Sequence, residues 1–192
     1  MADTNKVKYG ISNCYYAVAT IAANGTATYA TPKALPGAVS LSLDAQGEST
    51  PFYADNIVYY TGAVNSGYQG DFELAKVTDD FCTDVLGFAA DANGVLYEDY
   101  NAPTVHFALI FQFEGDAHAR RHVLYNCTCT RPALASSTKS ETVEPQTDTL
   151  TITATSIHNS ALDKDITKAS VTPTEATQYN GWNTAVYQPA AT

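Results

Sequence analysis

The chain has 192 residues, of which 16% are charged, and a formal net charge of −10 at pH 7. This length suits one domain with a substantial hydrophobic core and is short for two. Threonine, serine, tyrosine and valine are frequent, which favours strands because β-branched and aromatic side chains fit a pleated, half-buried surface. The acidic charge argues against a nucleic-acid-binding protein, since such proteins gain affinity from cations that displace counterions from phosphate.

The charge imbalance is concentrated in one third of the chain. The segment from Ser40 to Asn101 contains eleven acidic residues and one basic residue, Lys76, whereas the rest of the chain is balanced. The residues alone leave two interpretations open. The segment forms a solvated face that keeps the protein soluble, or it forms a surface that faces a polyanion without holding it.

The sequence contains no pattern typical of export or of membrane insertion. The first residues lack a basic segment followed by an apolar one, and no run approaches 18 apolar residues. We therefore expect a soluble protein with no membrane insertion. Its cysteines are expected to be free thiols of a reducing compartment, with disulfides or metal binding as the alternative. They are Cys14, Cys82, Cys127 and Cys129.

Alternation of apolar and polar residues predicts several strands. One or two strands are expected between Lys6 and Ala23, followed by a turn at Asn24-Gly25 and a strand at 26–29. In the segment 38–44 the apolar residues Val39, Leu41 and Leu43 share one face. In the segment 68–77 the apolar face consists of Tyr68, Phe72 and Leu74.

The segment between these two alternating strands has no period. It covers residues 45–56, contains Gly47 and Pro51, and ends near the aromatic pair Phe52-Tyr53. We interpret it as an extended inter-strand loop, which is either a flexible connection or an element that reaches a neighbouring molecule. A tyrosine-rich strand is expected at 57–61.

A short helix is predicted at 78–86. Thr78 is a suitable N-cap, Asp79 and Asp80 favour the positive end of the helix dipole, and Gly87 is typical of a helix end. A second helix is predicted at 173–187, with Thr172 and Glu175 as a capping box.

Three further strands are expected in the second half of the chain. In the hairpin His106–Glu114 and Arg121–Arg131 we predict that alternate residues of each strand face the core. These residues are Phe107, Leu109, Phe111, Phe113, Val123, Tyr125, Cys127 and Cys129. The strand at 149–155 places threonines on one face and Leu150, Ile152 and Ala154 on the other.

No residue pattern indicates an active site. Three histidines, His106, His118 and His122, occur near Glu114 and Asp116, but the glycine-containing turn separates them and argues against one metal site. Asp79, Asp80 and Asp84 are explained by helix capping and by solvation. We therefore predict no catalytic residues, no cofactor and no metal.

Several predicted strands have an uncharged polar second face with few lysines or prolines. Such strands do little to prevent edge-to-edge pairing, and a protein built to pair strands with its own copies needs this composition. A contact of this kind closes into a ring when the rotation between copies allows it.

Long segments of the chain resemble the major tail proteins of long-tailed phages of Gram-positive hosts. The resemblance covers about Val7 to Ala154, and the C-terminal YNGWNTAVY is similar too. The segments that carry it are ALPGAVSLSLDAQGESTPFYADNIVYY, GYQGDFELAKVTDDFCTDVLG, RRHVLYNCTCTRP and EPQTDTLTITA.

The resemblance implies a mainly β, tail-tube-type β-sandwich or barrel of two packed antiparallel sheets with one short flanking helix. It implies a single domain over 1–192, with segment 156–192 docked on it. It also implies homohexameric rings that stack into a tube, an inter-strand loop that contacts the next ring, and passage of phage DNA without specific binding. The expected partners are further copies, the tape-measure, tail-terminator and distal-tail proteins, with assembly in the host cytoplasm.

Placing this sequence on that architecture gives two sets of candidate residues. If the strands that flank the loop line the bore of the tube, the lumen-facing residues are Ser40, Ser42, Asp44, Gln69, Asp71 and Glu73. The ring-stacking residues are Gln46, Glu48, Phe52, Tyr53 and Asp55. Two other readings remain: an immunoglobulin-like binding or adhesion module of a virion or cell surface, and the inner tube of a contractile tail.

Overall fold

The structure, a computed structural model, describes residue 7 and the ranges 9–115, 119–138 and 145–191. Strands predominate, all strand pairs are antiparallel, and the described residues contain two short helices, so the mainly β prediction is confirmed. Two residues of the predicted histidine group, Asp116 and His118, lie outside the described residues.

The described strands and helices follow one another along the chain with short connections. The strands are β1 (Ile11–Ile21), β2 (Ala27–Tyr29), β3 (Lys33–Ala34), β4 (Ala38–Gln46), β5 (Ser49–Ala54), β6 (Ile57–Ala63), β7 (Gly67–Leu74), β8 (Phe88–Ala90), β9 (Leu96–Glu98), β10 (His106–Phe113), β11 (Arg121–Cys129), β12 (Asp148–Thr155), β13 (Ile157–Asn159), β14 (Lys164–Ile166) and β15 (Lys168–Val171). The helices are α1 (Asp79–Asp84) and α2 (Ala176–Gly181).

One large sheet forms the body of the molecule. Its strand order is β2-β1-β10-β11-β12-β7-β4, with β15 paired to β11 and β3 paired to β1. The sheet curls until β1 contacts β4, and the backbone N–H of Leu35 donates to the carbonyl of Cys14 at 2.8 Å. The two layers of the predicted sandwich are therefore parts of one continuous, barrel-like sheet.

The concave side of the sheet encloses the larger core, which α1 closes. Phe81 of α1 packs edge-on against Tyr16 at 4.9 Å and against Phe107 at 5.5 Å between ring centroids. The backbone N–H of Phe81 donates to Oγ1 of Thr78 at 3.3 Å, which confirms the predicted N-cap. Gly87 has φ +77°, as the predicted helix end requires.

A second core covers the convex side of β1, β10 and β11. Ala108 and Ile110 of β10 are fully buried there against Trp182 and Val186 of the C-terminal segment. The main chain of this segment is also anchored, because Tyr125 Oη donates to the carbonyl of Tyr187 at 2.9 Å. Both faces of β10 are therefore apolar, whereas the alternation in the sequence predicted only one core face.

The single inward face predicted for β11 is wrong. β11 contains a bulge, since Phe107 pairs with Cys127 whereas Leu109 pairs with Leu124. Across the bulge β11 also changes its partner from β15 to β12. As a result Val123 and Tyr125 enter the convex-side core, while Leu124 and Cys127 enter the enclosed core.

A second bulge changes the start of β4. Ala38 pairs with Leu74 and Ser40 with Glu73, so one extra residue lies on β4. Ala38, Leu41 and Leu43 pack on the enclosed core, and Val39 is 49% exposed. The prediction that Val39 shares the inner face is therefore wrong.

The segment predicted as a loop at 45–56 is mostly strand. β4 continues to Gln46. After residues 47–48 the chain forms β5, which pairs with β6 in a hairpin. The absence of a period, which suggested a loop, reflects a strand with apolar residues on both faces.

The C-terminal helix is shorter than the predicted 173–187. α2 begins after Glu175, which makes no side-chain cap hydrogen bond, and ends at Gly181. The predicted capping box is absent from this described segment, because Thr172 Oγ1 instead contacts Thr174 Oγ1 at 2.5 Å.

Candidate functional site

Three neighbouring strands, β4, β7 and β12, share a polar outer face. In register, Ser40 lies beside Glu73, Ser42 beside Asp71, and Asp44 beside Gln69. On the other side of β7, Glu73, Asp71 and Gln69 pair with Thr149, Thr151 and Thr153 of β12, respectively. We call these nine residues the polar face. The six residues predicted as lumen-facing all lie on it, and the threonines of β12 extend it.

Short side-chain hydrogen bonds organise the polar face. Ser40 Oγ donates to Oε2 of Glu73 at 2.9 Å, and Thr147 Oγ1 donates to Oε1 of the same carboxylate at 2.6 Å. Thr151 Oγ1 donates to Oδ1 of Asp71 at 2.9 Å. The hydrogen bonds from Thr147 and Ser40 lower the pKa of Glu73, because they favour the charged form of the carboxyl.

The charge on this surface has one sign. The polar face carries the carboxylates of Asp44, Asp71 and Glu73, and the sequences of β4, β7 and β12 contain no lysine, arginine or histidine. Hydroxyl groups of serine and threonine fill the positions between the carboxylates. A phosphate backbone therefore meets repulsion here and no cation that could hold it.

The polar face ends at an unpaired strand edge. β4 is the last strand of the large sheet, and among the described residues it pairs only with β7. The sequence of β4 contains neither lysine nor proline, the residues that commonly prevent pairing at an edge. No described strand pairs with its second edge, where β4 contacts β1 without a ladder of hydrogen bonds.

A β-hairpin arm extends from one end of β4 and β7. We define the arm as residues 47–66, the segment between Gln46 and Gly67, which pair with each other. Its base is closed by hydrogen bonds from the N–H of Val64 to the carbonyl of Glu48 and from the N–H of Ser66 to the carbonyl of Gln46, both 2.9 Å. At its tip Asp55 and Asn56 have φ of +51° and +63°, as in a type I′ hairpin turn.

The arm exposes apolar side chains on both faces. Seven large apolar residues are between 51% and 73% exposed, namely Phe52, Tyr53, Ile57, Val58, Tyr59, Tyr60 and Val64. The only charged residues of the arm are Glu48 at its base and Asp55 at its tip. An exposed apolar surface of this extent is typical of an interface.

The predicted stacking residues lie at the end of β4 and along the arm. Gln46 ends β4, Glu48 lies at the arm base, Phe52 and Tyr53 lie on β5, and Asp55 forms the turn. The residues of β6 were missed as part of this surface. The available signal was the run of apolar residues from Ile57 to Tyr60 without alternating polar ones.

Gly47 allows the arm to pack closely at its base. A Cβ at this position would lie 2.2 Å from the carbonyl oxygen of Val64, closer than any real side chain approaches. Any other residue would therefore change the angle between the arm and the sheet.

The histidines and acidic groups that resembled catalytic residues have structural partners. His106 Nδ1 lies 2.7 Å from Oδ1 of the buried Asn126, and the ring of His122 stacks on Phe111. Asp84 pairs with Lys33 at 2.6 Å and accepts a 2.8 Å hydrogen bond from Tyr16 Oη, so it joins α1 to the sheet and is not simply solvated. Within the described ranges no group of three potential ligands could hold a metal ion.

The cysteines are free thiols in buried or half-buried positions. Burial raises the pKa of Cys14 and Cys129 to about 12, and it also raises the pKa values of Cys82 and Cys127. Thiols with raised pKa values are poor nucleophiles and poor metal ligands at neutral pH.

A family model described as phage tail tube protein matches residues 2–192. The chain therefore belongs to the phage tail tube protein family, and the resemblance to phage tail proteins is confirmed. No individual curated protein gives a significant match. Neither helix in the described part of the chain is long and apolar enough to cross a membrane.

Family membership gives the protein a structural role in the tail of the virion. Proteins of this family assemble with their own copies and with other tail proteins into a tube, and a structural family of this kind indicates a protein that is not an enzyme.

Proposed function

We propose that the protein is the major tail tube subunit of a phage with a long, non-contractile tail. Six copies form a ring, the rings stack into a tube, and the tube conducts phage DNA into a Gram-positive host cell. Assembly takes place in the host cytoplasm together with the tape-measure, tail-terminator and distal-tail proteins. The observation that carries this proposal is the polar face, which is acidic, free of cations and continuous up to the unpaired edge of β4.

The chemistry of the polar face suits the wall of a DNA channel. Carboxylates repel the phosphate backbone, and no cation in β4, β7 or β12 neutralises a phosphate. The hydroxyl groups that donate to Glu73 and Asp71 engage carboxylate oxygens which would otherwise attract counterions or basic groups. DNA then passes along the surface without specific binding.

The unpaired edge of β4 supports closure of the ring. If a strand of the neighbouring copy pairs with this edge, the polar faces of successive copies join into one surface. The contact is head-to-tail, so the ring closes when the rotation between neighbouring copies is a full turn divided by a whole number. In that arrangement Leu41 and Leu43 point away from the bore into the enclosed core.

The arm supports stacking of the rings. It extends beyond the end of β4 and β7, and its exposed aromatic and aliphatic residues lose contact with water when another ring covers them. Gln46, Glu48, Phe52, Tyr53 and Asp55, together with the residues of β6, form this contact.

Deletion of the arm tests stacking separately from ring formation. Because Gln46 and Gly67 pair directly, residues 47–66 can be replaced by an Asn-Gly turn without loss of register. We expect this variant to fold and to form rings that do not elongate, as seen by negative-stain electron microscopy over a concentration series. Tubes of normal length would contradict the stacking role.

Cryo-electron microscopy of tubes tests the lumen assignment. We expect Ser42, Asp71 and Glu73 to face the bore. A reconstruction with Leu41 and Leu43 at the bore would overturn this assignment. A chain that stays monomeric at every concentration would instead favour a binding module of the immunoglobulin-like type.

A further inference from the structure

A groove lies at the end of β4 and β7 opposite the arm. It has a volume of about 430 Å³ and is lined by residues 36–37, which precede β4, and 75–79, which follow β7. The N–H of Ala75 donates to the carbonyl of Gly37 at 2.7 Å, which holds the two segments together. We call this feature the rim groove. Pro36 and Ala75 are its exposed apolar residues, whereas Val77 is 5% exposed and belongs to the enclosed core.

The arm and the rim groove lie at the two ends of the same pair of strands. Gln46 and Gly67 pair at the arm end, whereas Ala38 and Leu74 pair at the groove end. Strands of this length separate the two ends by about 25–30 Å. When copies stack along the strand direction with the same polarity, the arm of one copy therefore points at the rim groove of the next.

Each of the two features offers one charge for a contact, a carboxylate at the arm tip and a lysine in the groove. Asp55 is the only charged residue at the tip of the arm, and Lys76 is the only basic residue between Ser40 and Asn101. Lys76 is exposed, and no carboxylate of the described residues lies within ion-pair distance of it. The groove also contains the carboxylate of Asp79. Lys76 is the only cation in this acidic third that the carboxylate of Asp55 could meet.

Other cations near this part of the fold are already engaged. Lys33 pairs with Asp84 at 2.6 Å, and Arg131 pairs with Glu98 at 2.6 Å. The second acidic group beside the groove, Asp148, accepts a 2.9 Å hydrogen bond from the N–H of Val77. Among the described basic residues near this end, Lys76 is therefore the one without an ion-pair partner in its own chain, and it can pair with a carboxylate of another chain.

We propose that the rim groove of one copy receives the arm tip of a second copy in the adjacent ring, with Asp55 against Lys76 and the apolar residues of the arm against Pro36 and Ala75. The inference rests on the proposed stacking of rings and names the surface that receives the arm. It assigns a receptor role to residues 36–37 and 75–79 and gives the only basic residue of the acidic third a function.

Directed cross-linking tests the contact. Ala54 neighbours the arm tip and keeps an ordinary strand backbone, and Ala75 is an exposed lining residue of the groove. A54C/A75C therefore places one thiol in the arm and one in the groove and leaves Asp55 and Lys76 in place. In oxidised tubes each copy then links to a copy in the next ring, and we expect a ladder on non-reducing gels that extends well beyond six chains. A54C/N93C, with the second cysteine in the exposed β8–β9 turn, and the wild-type protein are controls without a ladder.

The outcomes separate this inference from the proposed function. If the wild-type chain forms no tubes, the proposed function fails and this inference fails with it. If A54C/A75C forms tubes without cross-links, the rim groove is not the receptor, although stacking stands. A ladder that ends at six chains would place the contact within a ring and would also overturn the inference.

Charge reversal provides a second, independent measurement. We expect K76E to form rings but to raise the critical concentration for tube elongation at least about tenfold, because the repulsion with Asp55 recurs in every copy of the ring. D55N, which suits the positive φ of this turn position, removes that repulsion. The double variant K76E/D55N should recover most of the loss. Equal critical concentrations for K76E and the wild type would overturn the pairing.

Discussion

Ser40 and Glu73 face each other on β4 and β7, and the Ser40 hydroxyl donates a 2.9 Å hydrogen bond to Oε2 of the carboxylate. Thr147 donates to the other oxygen of the same carboxylate at 2.6 Å. Glu73 is therefore held by hydroxyl donors that come from both neighbouring segments of the chain. These bonds keep a negative charge at a fixed place on the polar face, and they do so without any cation.

Loss of these donors is expected to raise the pKa of Glu73. In the wild type the hydrogen bonds from Thr147 and Ser40 lower this pKa. T147V and S40A remove one donor each, and NMR titration of the carboxyl carbon should show the pKa moving up towards the ordinary glutamate value. T153V, which lies beside Gln69 on the same face, is the matched control. An unchanged titration in T147V would contradict the role of the hydrogen bond.

The sign of the pH effect on stability follows from the direction of this shift. The folded-state pKa of Glu73 lies below the unfolded-state value, so the contribution to stability is present above the unfolded pKa. It is lost as the pH falls through the folded pKa. The double variant T147V/S40A should therefore show a smaller loss of stability on acidification than the wild type.

A cation on the polar face is expected to create DNA binding. Wild-type protein should show negligible affinity for duplex DNA at about 50–200 mM salt, because no phosphate is neutralised. D71K places a lysine in the middle of the face and should produce binding that weakens as salt rises. E175K changes the charge equally at the start of α2, away from this face, and should bind no better than wild type. Equal binding by both variants would show that net charge alone decides.

Removal of the Trp182 side chain should destabilise the fold strongly. The indole is 2% exposed, stacks on Tyr187 with ring centroids 5.3 Å apart and lies in the convex-side core. Truncation of a buried tryptophan to alanine typically costs about 3–5 kcal/mol of unfolding free energy. We expect W182A to lose an amount in this range in urea denaturation. Y100A, whose side chain is 91% exposed in the wild type, is the control and should change stability by less than about 0.5 kcal/mol.

The thiols are expected to react slowly in the folded protein. Burial raises the pKa of Cys14 and Cys129 to about 12, so little thiolate is present at pH 8. A disulfide reagent should modify these groups at least about 100-fold more slowly than in urea, where thiols ionise near pH 8.5. Rapid modification of all four cysteines in the native protein would contradict this burial.

The same shift predicts a loss of stability at alkaline pH. The folded-state pKa values of the cysteines are raised, so above about pH 8.5 the unfolded chain binds fewer protons than the folded one. The free energy of unfolding should then fall as the pH rises. Thermal unfolding followed by circular dichroism between pH 7 and 10 measures this slope.

Alternation of apolar and polar residues predicted the buried face of a strand correctly where the strand keeps one partner on each side, as β12 does. Leu150, Ile152 and Ala154 of β12 are fully buried, as the pattern indicated. The pattern misled where a bulge inserts one residue, at Val39 and within β11, because a bulge reverses the faces that follow it. Bulges depend on partner strands that are distant in the sequence, and a local pattern carries no record of them.

The polar face could be predicted in part because its residues alternate strictly with core residues on β4 and β7. The contribution of β12 could not, since the register that places Thr151 beside Asp71 joins strands that are 80 residues apart in the chain. The first half of the arm, within the predicted loop at 45–56, could not be predicted as a strand because β5 buries neither face within the subunit, whereas the strand expected at 57–61 corresponds to β6. β5 and β6 pair with each other but pack against no core of their own chain, so their side chains show no alternation between apolar and polar.

Asp55 and Asn56 give the arm its turn conformation before any partner is present. A binding element that already has its bound backbone shape loses little conformational entropy on association. If the arm binds the adjacent ring as proposed, growth of the tube should be governed by the encounter of subunits with the tube end, without a slow ordering step of the arm. The two turn residues would then act on the kinetics of assembly.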